Sequence, residues 1–229
     1  MTLGDRLGIG DRLAIGERWQ LRLTRGMQAG LVALFAVGLA QGNTGILVNT
    51  AVAFGVSLLP AVLERDYDIP LDAGLTLWIT TAVFLHALGT VGLPGLGATV
   101  YSVVPWWDSI THALSSTIVA AGGYTTARAF DEHSDAVRLT PTFMFAFILV
   151  VVLAFGVFWE VIEFALGLAA AASGSSEVLT QYGLADTMLD LVFDLVGAVV
   201  VAVWGTAHLT DVVGAVTERL GDAGPGAGR

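Results

Sequence analysis

Eight ionisable side chains interrupt the most apolar stretches of this 229-residue chain, and they come in helical spacings. His86 lies in "VFLHALG", Asp108 and His112 in "DSITHALSS", Glu160 and Glu163 in "FWEVIEF", and Asp186, Asp190 and Asp194 in "DTMLDLVFDLVG". Residues three or four apart share a helix face, so each motif presents its polar groups along one side. Glycines extend two of these stripes, Gly156 and Gly167 beside the glutamates and Gly197 beyond Asp194. Small residues let helix backbones approach closely, so these faces are expected to turn toward neighbouring helices and away from lipid.

Carboxylates with one or two imidazoles form the ligand set of Zn, Mn or Fe(II). A divalent cation would also supply the positive charge that the apolar runs lack. Water bound to it would be acidified and able to attack an ester, amide or phosphate. The candidate metal ligands are His112, Glu160, Glu163, Asp186 and Asp190, with His86, Asp108 and Asp194 as additional members. Glu160 and Asp190 are the candidate catalytic carboxylates, whichever is unligated acting as general base. The same acids could instead carry protons or cations through a coupled transporter, or simply join helices by hydrogen bonds in a structural subunit. No Glu-x-x-His pair, P-loop, nucleophile elbow or dinucleotide fingerprint is present.

The elements that must position these groups are membrane helices. The chain is 55% hydrophobic and 13% charged, with a mean hydropathy of +0.76, outside the range of ordinary soluble domains. About 20 apolar residues cross a hydrocarbon core of about 30 Å. Six such runs are expected, over residues 21–41, 44–63, 73–92, 108–130, 141–172 and 184–210. The fold class is therefore an all-α polytopic bundle, preceded by a flexible arm (1–20) and followed by a flexible tail (211–229). The arm repeats "GDRLGI-GDRLAI-GERWQL", and its scattered apolar residues and glycines do not make an amphipathic anchor. The small residues of "VGLAQ" resemble a signal-cleavage site, but the long arm before it argues against cleavage.

All ten cations are arginine, and all fall before or at the start of span one, after span two, at or after the end of span four, or after span six. Cytoplasmic loops retain positive charge, so both termini are expected in the cytoplasm of a multi-pass cell-membrane protein. Alternating directions then put all eight ionisable groups in the outer half of the bundle, with no arginine near enough to pair. The third connection carries Pro94, Pro105, Tyr101, Trp106 and Trp107, residues that stop helices or suit an aromatic belt at the interface. The net charge of −10 argues against nucleic acid as a partner, leaving the bilayer and a lipid or small-molecule substrate. Acidity with arginine in place of lysine suits a halophile's salty cytoplasm. The absence of cysteine excludes thiolate ligands and disulfides.

With these motifs laid out, the chain resembles the YjdF-like group of small bacterial and archaeal inner-membrane proteins. The resemblance covers about residues 100 to 200. It rests on "DSITHALSS", "FWEVIEF" and "QYGLADTMLDLVFDLVGA", including Trp159, Gln181, Gly183 and Thr187. It implies a shared site at Asp108, His112, Glu160, Glu163, Asp186 and Asp190 and carries no assigned reaction. His86 and Asp194 rest on helical geometry alone.

Overall fold

A computed structural model describes residues 16–92, 98–134, 136, 138–174, 177–179, 181–204 and 209–222. Among these described residues the helices are α1 (Glu17–Gln41), α2 (Thr44–Tyr67), α3 (Ala73–Gly89), α4 (Val100–Val103), α5 (Trp107–His133), α6 (Pro141–Ser173), α7 (Leu184–Trp204) and α8 (Thr210–Asp222). Each of the six expected runs contains one long helix. By length and composition, α1, α2 and α6 could each cross a membrane, and α3 is apolar but shorter.

The ends are where local chemistry stops a helix. Gly42 takes a left-handed conformation (φ 63°) that closes α1, and the Asn43 side chain accepts the Ile46 amide to open α2. The Asp72 side chain caps α3 in the same way, while Thr140 followed by Pro141 opens α6. Buried Asp131, paired with Arg128, also accepts the Leu139 amide at 2.7 Å, tying the end of α5 to the chain entering α6.

Helices α1, α2 and α3 pack on one another, α5, α6 and α7 do likewise, and α3 against α5 joins the two groups. Trp78 on α3 donates to Thr117 on α5 at 2.7 Å across that joint. The second group has an apolar core of Ala120, Met144, Ile148, Val152, Ala198 and their neighbours. The first has a smaller one around Leu31, Ala53 and Ala87.

Helix α6 is built inside out relative to a soluble helix. Its buried stripe is Met144, Ile148, Val152, Gly156, Glu160 and Glu163, whereas Val150, Phe155, Phe158, Val161 and Phe164 are exposed. Phe158 is 61% exposed and its neighbour-but-one Glu160 only 5%. An apolar exterior over a polar interior is the arrangement hydrocarbon demands, because each acid must find partners within the bundle.

The chain termini differ from the sequence-based expectation. The first helix begins at Glu17, within the segment assigned to the arm, and residues 1–15 lie outside the described set. Residues 211–222, assigned to a flexible tail, belong to α8 (Thr210–Asp222), which packs on α5; Val213 on it and Leu209 just before it are buried. Arg219 on α8 meets Asp68, just past α2, at 2.7 Å. The alternation Leu209, Val213, Thr217 makes α8 amphipathic, a pattern masked by the glycine-rich run that follows it. Residues 205–208, 223–229 and Pro94 lie outside the described set.

Candidate functional site

The polar groups gather where α2 and α7 begin, α3 and α6 end, and α5 starts. The described arginines occupy the opposite helix ends: Arg18, Arg22 and Arg25 early in α1, Arg65 late in α2, Arg128 late in α5, Arg138 before α6, and Arg219 in α8.

Asp108, His112 and buried Asp190 form the closest grouping. Each offers one donor atom, and all three atoms lie within 4.8 Å of one another. His112 lies between acids on both sides, its Nε2 3.7 Å from Asp108 Oδ1 and its Nδ1 3.4 Å from Asp194 Oδ1. Asp108 sits in the first turn of α5, where the helix macrodipole favours a negative charge. Close backbone approach makes the grouping possible. A Cβ on Gly197 would overlap Ser116 Oγ and the Ala113 carbonyl of α5, and one on Gly156 would overlap the Asp194 carboxylate. Gly167, by contrast, meets nothing.

Glu160 bridges α6 to the start of α7. Its Oε2 accepts from Thr187 at 2.6 Å and from Gln181 at 3.3 Å, and Gln181 also donates to Thr187 at 2.9 Å. Its other oxygen, Oε1, is buried with no hydrogen-bond partner among the described residues. A buried unsatisfied carboxylate oxygen is costly, which makes this atom the least satisfied acceptor among the described acids.

The remaining acids are placed differently. Glu163 accepts from the Trp159 indole at 2.9 Å. Asp186, half-buried, accepts the Tyr182 amide at 3.1 Å and so supports the entry to α7. Neither belongs to the Asp108, His112, Asp190 grouping. His86 is also separate, accepting on Nδ1 from the Tyr101 hydroxyl at 2.8 Å, with Nε2 3.1 Å from Asn49 Oδ1. Burial pushes the Tyr101 pKa up, so the phenol keeps its proton and donates it. Asn49 spends both amide hydrogens on the carbonyls of Gly45 (2.9 Å) and Val178 (2.7 Å), which leaves its Oδ1 to accept from His86 Nε2–H.

Asn49 and Tyr101 are functional neighbours that sequence reasoning missed. Asn49 had a signal, a lone amide in the apolar run "GILVNTAV". Tyr101 had none, since an interfacial belt explains a loop tyrosine equally well. We expect Asn49→Leu, which keeps the branching at Cγ but strands Val178 O and His86 Nε2, to lower stability by about 1–3 kcal/mol. Thermal unfolding in detergent measures it.

Residues 23–211 match a family model described as a predicted membrane protein, DUF2238. The chain belongs to the DUF2238 family. This DUF2238 protein is a multi-pass membrane protein, and the matched region contains α2 to α7, most of α1 and all eight ionisable groups. It is similar to an uncharacterised protein of Thermotoga maritima, 31% identical over 151 residues that make up 62% of this chain and 67% of that one. The family match includes the region that carries the YjdF-like resemblance. No solved structure matches it.

Proposed function

We propose that this DUF2238 protein is a divalent-metal-dependent hydrolase or transferase whose site opens toward the outside of the cell and acts on a lipid or other membrane-soluble substrate. The observation that carries it is the convergence of Asp108, His112 and Asp190 from two helices, with donor atoms within 4.8 Å. Ligand atoms about 2.0–2.2 Å from one ion lie at most roughly 4.4 Å apart, so a small side-chain rotation closes the set. Two carboxylates and an imidazole suit Zn, Mn or Fe(II).

A cation bound there would offset the carboxylate charge and acidify a coordinated water. The protein's own groups divide the remaining work. Asp194 faces His112 Nδ1, which orients the ring so that Nε2 points toward Asp108. Thr187 and Gln181 hold Glu160 by Oε2, leaving Oε1 to accept a proton from an attacking hydroxyl. Glu163 and Asp186 support the site by ordering Trp159 and the turn at Tyr182.

The test is elemental analysis of protein purified without chelator. Stoichiometric Zn, Mn or Fe in the wild type and in Glu160→Gln, with loss in His112→Ala, supports the assignment. A metal-free wild type overturns it and leaves proton or cation coupling, measured as flux in proteoliposomes under a pH gradient.

Six helices, α1, α2, α3, α5, α6 and α7, cross the bilayer in this reading, with the arginine end in the cytoplasm. The chain has no cysteine, so single replacements report cleanly. A membrane-impermeant maleimide applied to whole cells should label Glu177→Cys and leave Arg138→Cys unlabelled. The reverse pattern would invert the orientation.

A further inference from the structure

The site has a second, lateral side. A cavity of about 460 Å³ lies between α2 and α6, walled mainly by apolar side chains such as Val48, Val52, Val152 and Phe155, with His112 and Asp194 among the fewer polar groups that line it. Its size falls within the range of about 300–1,000 Å³ common for small-molecule sites. Helices α2 and α6 make no packing contact with each other among the described residues. The opening between them is flanked by Val52 and Phe155, 61% and 57% exposed on the apolar outside of the bundle. A hole of this kind in a membrane protein faces hydrocarbon, where neither water nor a hydrophilic solute is available to fill it.

A separate, smaller chamber of about 120 Å³ is the more polar of the two, bordered by Asn43, Tyr101, Asp108, Glu163, Glu177 and Tyr182. The two chambers share His86, Val178 and Leu179 as a common wall. That wall is fixed by the Asn49 bonds to Val178 O and His86 already described. His112 and Asp108, which belong to one donor grouping, line opposite sides of it.

We propose that the substrate is a bilayer amphiphile that enters sideways between α2 and α6. Its hydrocarbon chain fills the apolar cavity and its polar group lies at His112, the member of the donor grouping that lines this cavity. The inference rests on the metal-site reading for what happens at the polar end, but the chain-binding cavity stands on its own geometry. A water-soluble substrate would have entered through the polar chamber and left the lateral cavity without purpose. Here the largely apolar walls, the presence of His112 among the few polar lining groups and the opening to lipid all select the same kind of molecule.

The test uses the full chain in phosphatidylcholine liposomes with a trace of lysophospholipid bearing a diazirine near the end of its acyl chain. After irradiation, labelled residues are mapped by mass spectrometry, and bound metal is measured on the same samples. Label is expected on the cavity-lining Ala53, Ser116 and Val152, which are buried and so shielded from bulk lipid. Val52→Trp, a change at an exposed rim position that folding should tolerate, is expected to cut that label roughly tenfold or more, the scale of steric discrimination in apolar pockets. Val150→Trp, on the exposed face of α6 outside the cavity, should leave it unchanged. Label confined to outward residues such as Val150 and Phe158, or insensitive to Val52→Trp, overturns the proposal. Cavity labelling in a protein without metal sinks the metal assignment and supports the lipid site; metal without cavity labelling does the opposite.

Discussion

Asp190→Asn is expected to abolish stoichiometric divalent-metal binding, weakening affinity by about 100-fold or more, since even outer partners of metal ligands are worth 10–100-fold. Asp190 is 2% exposed and belongs to the three-donor grouping with Asp108 and His112. An amide of the same shape preserves the packing while removing the charge and one anionic donor. Asp186→Asn, one turn earlier on α7 but engaged with the Tyr182 amide, should keep affinity near wild type. The pair therefore separates a ligand from a mere member of the acidic stripe. The measurement is metal titration by calorimetry, repeated across pH. Affinity should fall as pH is lowered, because protons compete for the same carboxylate and imidazole atoms. Equal binding by Asp190→Asn and wild type would falsify the assignment of Asp190.

Gly197→Val is expected to have the largest effect on stability. The α5 and α7 helices share the most extensive helix interface, and a Cβ at Gly197 would run into Ser116 Oγ and the Ala113 carbonyl. Serine can rotate away, but a backbone carbonyl cannot, so the helices must part. Overpacking typically costs about 1–3 kcal/mol, and the backbone obstruction puts this site at the upper end or beyond. Separation of α5 from α7 also pulls His112 and Asp108 from Asp190, so metal affinity should fall with the melting temperature. Gly167→Ala, whose Cβ meets nothing, serves as the control and should leave both unchanged. A wild-type melting temperature for Gly197→Val would mean that the α5–α7 contact is looser than described.

How legible the site was in the sequence depends on the residue. The stripe of α6 could be read directly, because Gly156, Glu160 and Glu163 recur at helical intervals within an apolar run, and all three are buried. Asp194, included on periodicity alone, does lie beside His112. Asp108, placed in the sequence only among the additional members, falls within the donor grouping. Glu163, placed among the candidate ligands, lies outside that grouping and accepts from the indole one helical turn back. Asn49 and Tyr101 come from the half of the chain without acidic motifs and reach the site by folding alone.

By itself the sequence determined that this is a helical membrane protein, roughly where its helices run, and which polar groups could not be left facing lipid. These follow from length, hydropathy and periodicity, which are properties of single segments and survive any packing of them. Only the tertiary structure decided which acids converge on His112, which oxygen of Glu160 is left open, that α8 folds back on α5, and that α2 and α6 stand apart around a cavity. Those outcomes depend on how closely two backbones approach and which way a side chain rotates between them. A glycine at Gly197 permits the approach, but only the partner helix determines what it approaches.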